Sequence, residues 1–285
     1  MSQSLIQVDA FTDTPFAGNP AAVCVLTKPQ SDRWMQQVAQ EMNLSETAFV
    51  LPQAEGFRLR WFTPTTEVPL CGHATLATAH VLWSEGHLDP DTPAQFDTQS
   101  GRLIATRRGD WIELNFPAAA STPVEVPPAL IKALGYTPLA PHSQGEIAVY
   151  QNSLGYLVEV ADAAIVRQLQ PDFGLMASLP IANVIVTSQA DAGSGFDFIS
   201  RFFAPGLGIN EDPVTGAAHC CLAPYWRDRL QQDQFLAYQA SVRGGVVKVQ
   251  YDGGDRVYLS GQAVTVMRAE LVGMAASLSA EAMDL

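Results

Sequence analysis

Hydrophobic and polar residues alternate in short runs along most of the chain, and this two-residue period is typical of β-strands. Turn-forming Gly, Pro, Asp and Asn residues separate the runs. Arg108-Gly109-Asp110 between two such runs predicts a hairpin. The pattern predicts strands at 5–11, 21–26, 47–51, 57–62, 102–107, 111–116, 154–160, 181–187, 196–203, 246–251, 257–259 and 263–267.

Four segments have helical patterns instead. Ser31 is a good N-cap for a helix at 32–42, and a short helix at 128–134 precedes Gly135. Residues 72–83 and 215–226 are small and apolar on nearly every face, which predicts helices in the interior of the fold. Many strands around two central helices indicate an α+β fold rather than a βαβ series.

An internal repeat relates the two halves of the chain. Residues 60–64, Arg-Trp-Phe-Thr-Pro, match residues 201–205, Arg-Phe-Phe-Ala-Pro. Each segment is followed by an acidic loop and then by a glycine, Gly72 or Gly216, which opens an apolar helix with an early histidine, His73 or His219. We therefore expect two related halves at 1–118 and 119–269, divided at the Ala- and Pro-rich segment 118–128, with the tail at about 270–285 packing back on the first half.

Composition narrows the functional classes. With 16 Lys and Arg against 29 Asp and Glu, the net charge is −13, which disfavours nucleic-acid binding and docking on anionic membranes. The content of 47% hydrophobic residues supports a large core. The first residues do not have the pattern of a signal peptide, and no run reaches the roughly 18 apolar residues of a membrane span. The four cysteines lack CxxC spacing, so we expect reduced thiols in a cytoplasmic protein.

Three titratable residues are candidates for proton transfer. Glu46 lies between a predicted helix and an apolar strand, where partial burial would raise its pKa toward that of a general acid/base, and Ser45 is placed to orient it. His73 lies in the first turn of one central helix, and Asp212 precedes the other. The open alternatives are a solvated Glu46 and an Asp212 that only caps its helix.

Two other chemistries receive less support from the residues. Cys71, at a helix start, is a candidate base or nucleophile, but the matching place in the second half, read as Asp212-Pro213, has no thiol. His73, His80 and His87 recur without a carboxylate at HExxH spacing, so we predict no metal site.

The chain resembles the phenazine biosynthesis-like (PhzF-like) family, which shares the diaminopimelate epimerase fold. The segments that carry the resemblance are 8–11, Val-Asp-Ala-Phe; 16–23, Phe-Ala-Gly-Asn-Pro-Ala-Ala-Val; 41–47, Glu-Met-Asn-Leu-Ser-Glu-Thr; 62–64 with 67–75, Glu-Val-Pro-Leu-Cys-Gly-His-Ala-Thr; 210–216, Asn-Glu-Asp-Pro-Val-Thr-Gly; and 243–245, Arg-Gly-Gly.

The resemblance implies two pseudo-symmetric halves, each a curved, mostly antiparallel, barrel-like sheet around a central helix, with the active site in the cleft between them. It also implies a cofactor-free, homodimeric biosynthetic isomerase that moves a proton on a small carboxylate substrate. Glu46 would be the acid/base, acting with His73 and Asp212. The residues implied around the substrate are Asn19, Ser45, Gly72, Thr215, Gly216 and Ala217. A non-catalytic binding or scaffold protein and a Cys71-dependent racemase are the alternatives.

Overall fold

A computed structural model describes residues 3–136 and 147–272, and it has the α+β composition that the sequence predicts. Most of the predicted tail at 270–285 lies outside the described residues. The first-half strands are β1 (Gln3–Ala10), β2 (Asn19–Val25), β3 (Glu46–Pro52), β4 (Phe57–Phe62), β5 (Glu67–Val68), β6 (Ala94–Thr98), β7 (Gly101–Arg108) and β8 (Trp111–Pro117). The other strands are β9 (Thr122–Pro123), β10 (Ala148–Gln151), β11 (Tyr156–Glu159), β12 (Val184–Gln189), β13 (Phe198–Phe203), β14 (Glu211–Asp212), β15 (Gln234–Gln239), β16 (Gly245–Tyr251), β17 (Arg256–Gly261) and β18 (Ala263–Leu271).

The helices are α1 (Asp32–Met42), α2 (Gly72–Ser84), α3 (Pro128–Ala133), α4 (Ala163–Gln168), α5 (Phe173–Ala177) and α6 (Gly216–Leu230). Ser31 caps α1 by accepting a hydrogen bond from the Trp34 N–H, as the sequence predicts. The helix α6 continues past the predicted end and contains Pro224. Among the described residues, no helix combines the length and the apolar character that crossing a membrane would require.

Strand pairing follows the same pattern in the first and second parts of the chain. The first half has the order β1-β2-β3-β4-β6-β7-β8, with parallel pairs at β2/β3 and β4/β6 and antiparallel pairs elsewhere. The second half repeats the same alternation in the order β10-β11-β12-β13-β15-β16-β17. The two halves therefore have the same topology, and α2 and α6 occupy equivalent positions in it.

The two halves share one sheet of 18 strands instead of forming separate sheets. Antiparallel pairing of β8 with β17 joins them edge to edge. The halves also exchange a strand, because β9 pairs with β10 and β18 pairs with β1. These pairings satisfy backbone groups that two isolated sheets would leave at open edges.

The register of the short strands corrects the residue matching of the repeat. Phe62 pairs with Glu67, and Phe203 pairs with Glu211, so Glu67 corresponds to Glu211. Gly72 follows Glu67 at the same distance in sequence as Gly216 follows Glu211. Val68 therefore corresponds to Asp212, Cys71 to Thr215 and His73 to Ala217. Each central helix has the early histidine that the repeat predicts, but His73 and His219 do not occupy equivalent positions, and the counterpart of Cys71 is Thr215 rather than Asp212-Pro213. The same arginine–glutamate pair closes both loops. Arg60 donates two hydrogen bonds to Glu67, and Arg201 donates two to Glu211.

The two central helices are buried as their composition predicts. In α2, residues 73–79 and 81–83 are buried, and the helix contacts β1, β2, β3, β7, β8 and β18. The helix α6 lies against β16 and β17 and also contacts α2. Leu76 and Leu222, one from each helix, belong to the same main hydrophobic core. Because the sheet curves around both helices, their N-terminal ends are fixed with respect to each other.

Candidate functional site

The N-terminal ends of α2 and α6 meet at their first residues, Gly72 and Gly216. A Cβ built on Gly72 would lie 3.8 Å from the Gly216 Cα, and one built on Gly216 would lie 3.9 Å from the Gly72 Cα. Neither N-cap residue, Cys71 or Thr215, hydrogen-bonds to its helix start through its side chain. The first N–H groups of two helices, each carrying about half a positive charge, therefore converge on one position where an anion would be stabilised.

Glu46 is the first residue of β3 and is brought to this position by the end of α1. Asn43 ends α1 in the left-handed conformation, with φ of 49°, and the chain then enters β3 beside β2. The Glu46 side chain is 19% exposed. Burial, together with the negative charge of Asp212, raises the pKa of Glu46 to about 8, although Cys71 partly opposes the shift. The carboxyl group can therefore both hold and release a proton near neutral pH.

His73 lies directly beside Glu46. Its Nε2 atom is 3.2 Å from Glu46 Oε2, and neither atom has a hydrogen-bond partner among the described residues. Its Nδ1 atom lies 3.2 Å from the Asn19 amide nitrogen and 3.5 Å from Cys71 Sγ. Burial lowers the pKa of His73 to about 3, so the ring is neutral at physiological pH. A neutral imidazole beside a protonated carboxyl can accept or donate a hydrogen bond at Nε2.

Asp212 faces the same position from the second half. Its Oδ1 accepts a 2.8 Å hydrogen bond from the Asn19 amide, and its Oδ2 accepts one of 2.5 Å from the Thr215 hydroxyl. Burial raises the pKa of Asp212 to about 6, and the hydrogen bonds from Thr215 and Asn19 limit the shift. Asp212 thus remains mainly ionised at neutral pH, whereas Glu46 remains mainly protonated, so the two carboxyls hold different charge states.

Asn19 connects the two halves of the site. Its amide nitrogen donates to Asp212 Oδ1 and to the Val214 carbonyl, and it lies beside His73. The loop before Asn19 is held by Arg243, which donates to the Gly18 carbonyl at 2.7 Å and to the carboxylate of the fully buried Asp9 at 2.8 Å. This clamp fixes where Asn19 enters β2.

The remaining predicted residues lie around the opening of the site. Ser45 and Gly72 are half-buried, and Ala217 is exposed in the first turn of α6. Thr215 and Gly216 are buried. Within the described part of the chain, no hydrogen bond joins the Ser45 hydroxyl to the Glu46 carboxyl, so Ser45 lies beside Glu46 without orienting it in this way.

Glu46, Cys71 and His73 also form a cluster of possible metal ligands, each offering one atom within 4.8 Å of the others. Helical spacing alone does not predict this group, because Glu46 comes from a distant strand. Burial raises the pKa of the Cys71 thiol well above its usual value, with the charge of Glu46 adding to the shift. Since thiolates rather than thiols bind metal ions, a metal ion at this group would have to displace the thiol proton.

Sequence reasoning missed Gln239, a fully buried residue at the end of β15. Its side chain binds both Asp212 and Thr215. The residue pattern does not predict the strand β15, so nothing in the sequence places Gln239 near the site.

A separate cavity of about 310 Å³ lies near the other end of α2, lined by Asp13, His80, Trp83, Arg107, Asp110 and Gln262 among others. It does not include Glu46, His73 or Asp212. The polar groups with shifted pKa values that converge on one position, Glu46, His73 and Asp212, lie at the helix starts instead, and they mark the candidate active site.

The raised pKa of Glu46 predicts a pH-dependent effect of Glu46→Gln on stability. In the unfolded chain Glu46 ionises near pH 4.5, and in the folded protein near pH 8. Between these values the unfolded state binds fewer protons, so the free energy of unfolding falls with rising pH by at most about 1.4 kcal/mol per pH unit. We expect the melting temperature of Glu46→Gln to match the wild type near pH 4 and to exceed it by several degrees at pH 8.

Melting curves of both proteins from pH 4 to pH 9 test this expectation. Glu41→Gln, which removes an exposed carboxylate from α1, is the matched control and should show no such divergence. A difference between Glu46→Gln and wild type that is constant with pH would contradict the raised pKa.

Burial of Cys71 predicts low thiol reactivity. Because its pKa is raised well above the usual value, little thiolate is present at pH 7.5. We expect iodoacetamide to modify Cys71 in the native protein at least about 10-fold more slowly than in the urea-unfolded chain, as followed by peptide mass spectrometry. Native modification as fast as in urea would show an activated thiol.

Comparisons with known proteins show what this chain is similar to. A family model described as phenazine biosynthesis-like protein matches residues 8–269. An uncharacterized isomerase of Halalkalibacterium halodurans is 51% identical over 273 residues, covering 95% of this chain and 99% of the relative. The crystal structure of a phenazine biosynthesis protein PhzF family member from Enterococcus faecalis has a TM-score of 0.87 at 39% identity, covering 95% of this chain and 99% of that one.

A more distant likeness concerns the fold alone. The structure of a probable proline racemase from Agrobacterium radiobacter, with bound carbonate, has a TM-score of 0.61 at 12% identity. It covers 94% of this chain and 92% of its own. The overall fold is thus shared with a protein of only 12% sequence identity.

Proposed function

Because the chain belongs to the phenazine biosynthesis-like family and is an isomerase, we propose that it moves a proton between two positions of a small carboxylate-containing metabolite without a cofactor. In this proposal Glu46 is the general acid/base. The observation that supports it most strongly is the position of Glu46, whose pKa is raised to about 8, beside two helix starts that converge on one anion-binding position.

The proposed reaction begins with Glu46 ionised and the substrate carboxylate at the helix starts. Glu46 takes a proton from the carbon next to the carboxylate, and the electron pair of that C–H bond moves into the carboxylate oxygens. The first N–H groups of α2 and α6 stabilise the negative charge that develops there. Glu46 then returns the proton, on the same face, to the far carbon of a substrate double bond conjugated with the enolate, so that the double bond shifts and no atom or electron is gained or lost.

His73 and Asp212 have supporting roles in this proposal. Neutral His73, 3.2 Å from Glu46, can hydrogen-bond to the carboxyl group in both of its charge states. Asp212 supplies a negative charge that keeps the pKa of Glu46 high enough for it to hold the proton before returning it. Each half of the protein thus contributes one carboxyl group and one helix start to the cleft.

The symmetry of the fold argues for a single acid/base. From the strand registers, the counterpart of Glu46 in the second half is Asn183, and the counterpart of Cys71 is Thr215. A racemase with two equivalent thiols would need a cysteine where Thr215 stands. The low thiolate content expected of Cys71 also disfavours the thiol-based alternative.

Solvent exchange tests the proposal across a range of substrate classes. The protein is incubated in D₂O with a panel of small amino, hydroxy and unsaturated carboxylates, and deuterium at carbon is followed by NMR. We expect exchange at the carbon next to the carboxylate for at least one compound, and the same rate after EDTA treatment. Binding of carboxylates without exchange in any compound would support a non-catalytic binding protein, and loss of exchange with EDTA would contradict cofactor independence.

A further inference from the structure

Both the oxygen and the nitrogen of the Gln239 side-chain amide form hydrogen bonds with the loop that precedes α6. Its Oε1 accepts a 2.9 Å hydrogen bond from the Thr215 N–H. Its Nε2 donates to the Asp212 carbonyl at 2.8 Å and to the Thr215 hydroxyl oxygen at 3.2 Å. Gln239 is 0% exposed. It therefore fixes both the backbone and the hydroxyl of Thr215 from a position that solvent does not reach.

The Thr215 hydroxyl does not behave as an N-cap hydroxyl usually does. A threonine at this position typically accepts a hydrogen bond from an N–H of the first helical turn. Thr215 makes no such bond, and its hydroxyl donates instead to Asp212 Oδ2. One of its lone pairs accepts from Gln239 and its proton goes to Asp212, so the hydroxyl is directed away from the helix start.

We infer that Gln239 is a positioning residue for the site: it turns the Thr215 hydroxyl toward Asp212 and thereby leaves the first N–H groups of α6 open to the substrate carboxylate. This inference rests on the proposed function in one respect, namely that a carboxylate occupies the helix starts. Gln239 touches Asp212 and Thr215 but acts on the substrate only through them.

The first half of the protein shows that the fold does not require this amide. From the register of the parallel pairs β4/β6 and β13/β15, the counterpart of Gln239 is Thr98. Thr98 donates to the Gly101 carbonyl within its own turn, and the counterparts of Asp212 and Thr215 are Val68 and Cys71. The same strand, turn and helix start thus form without the Gln-Thr-Asp set, which indicates a specific task for that set at α6.

A second anchor of the same loop provides a matched control. The Ser241 hydroxyl donates to the Pro213 carbonyl at 2.8 Å, and the Ser100 hydroxyl makes the equivalent bond to the Pro69 carbonyl in the first half. Ser241 holds the loop from the turn that follows β15, but it does not bind Thr215 or the Asp212 carboxylate. Ser241→Ala therefore removes an anchor without changing the direction of the Thr215 hydroxyl.

Binding of benzoate, a simple carboxylate probe, tests the inference by NMR of the full-length protein. Benzoate is titrated while the amide signals of Gly72, Gly216 and Ala217 are followed. For Gln239→Leu, which frees the Thr215 hydroxyl to cap α6, we expect the Kd for benzoate to rise at least about 10-fold. For Ser241→Ala we expect a change below about 2-fold. In Gln239→Leu the amide hydrogens of the first turn of α6 should also exchange more slowly, because the hydroxyl now protects them.

Gln239→Glu separates the two functions of the amide and guards against a variant that does not fold. Glutamate keeps an acceptor for the Thr215 N–H but lacks the donor at neutral pH, so we expect weak benzoate binding that recovers when the new carboxyl group is protonated at lower pH. Equal weakening by Gln239→Leu and Ser241→Ala would show that Gln239 only anchors the loop. Unchanged benzoate affinity in Gln239→Leu, or no benzoate shift at these amides in the wild type, would overturn the inference.

These results are distinguishable from failure of the proposed function. Benzoate binding at the helix starts reports on the carboxylate site even if no compound exchanges its hydrogen for deuterium. Conversely, exchange that is unaffected by Gln239→Leu would leave the isomerase proposal intact and contradict the positioning role.

Discussion

Glu46→Gln is expected to lower the turnover number by about 10²–10⁴-fold, which is the usual contribution of one positioned acid/base. Glutamine has nearly the same shape as glutamate and remains beside His73, but it cannot take up a proton from carbon. Substrate binding depends mainly on the helix-start N–H groups, so KM should stay within a few-fold of the wild-type value. The measurement is steady-state turnover of a compound identified by the exchange panel.

Glu41→Gln serves as the control for this substitution, because it removes a carboxylate of the same type from the exposed face of α1. Its turnover should equal that of the wild type. Turnover of Glu46→Gln within about 10-fold of the wild type would remove Glu46 from the chemical step and leave proton transfer to another group.

Asp212→Asn should lower turnover by about 10²-fold, the effect expected when reacting groups are misplaced by about 1 Å. Asp212 accepts hydrogen bonds from Asn19 and Thr215, and an asparagine would turn an NH₂ group toward one of these donors. The substitution also removes a negative charge that raises the pKa of Glu46. The rising limb of the plot of log kcat/KM against pH, which reports ionisation of Glu46 in the free enzyme, should therefore move to lower pH.

The control for Asp212→Asn is Asp228→Asn, at the exposed far end of α6. It should leave both the rate and the pH profile unchanged. A pH profile of Asp212→Asn with its rising limb in the wild-type position would show that Asp212 does not act on the pKa of Glu46, even if the rate falls.

The elements that the sequence predicts well are those with strong local signals. The bounds of α1 and β4 match the prediction, because the first has a capping serine with helical spacing and the second lies between clear turns. The apolar composition of α2 and α6 correctly places both helices in the interior. Glu46, His73 and Asp212 are also identifiable from the sequence, since each is a titratable residue beside an apolar element.

The parts that could not be predicted depend on pairing between distant segments. The prediction misses β6 and β15, whose places in the sheet are fixed by parallel pairing with β4 and β13, so Gln239 remains hidden in the sequence. The two halves also differ in length between Phe62 and Gly72 and between Phe203 and Gly216. The strand register places the additional residues between Phe203 and Glu211, and it thereby matches Cys71 with Thr215 instead of with Asp212-Pro213.

Deuterium incorporation from D₂O at the substrate carbon, compared among the wild type, Glu46→Gln and Cys71→Ala, tests the role of Glu46 most directly. The account predicts exchange in the wild type, loss of exchange by at least about 10²-fold in Glu46→Gln, and retention of most of the exchange in Cys71→Ala. Exchange that survives Glu46→Gln and is lost in Cys71→Ala would contradict it and assign proton transfer to the thiol.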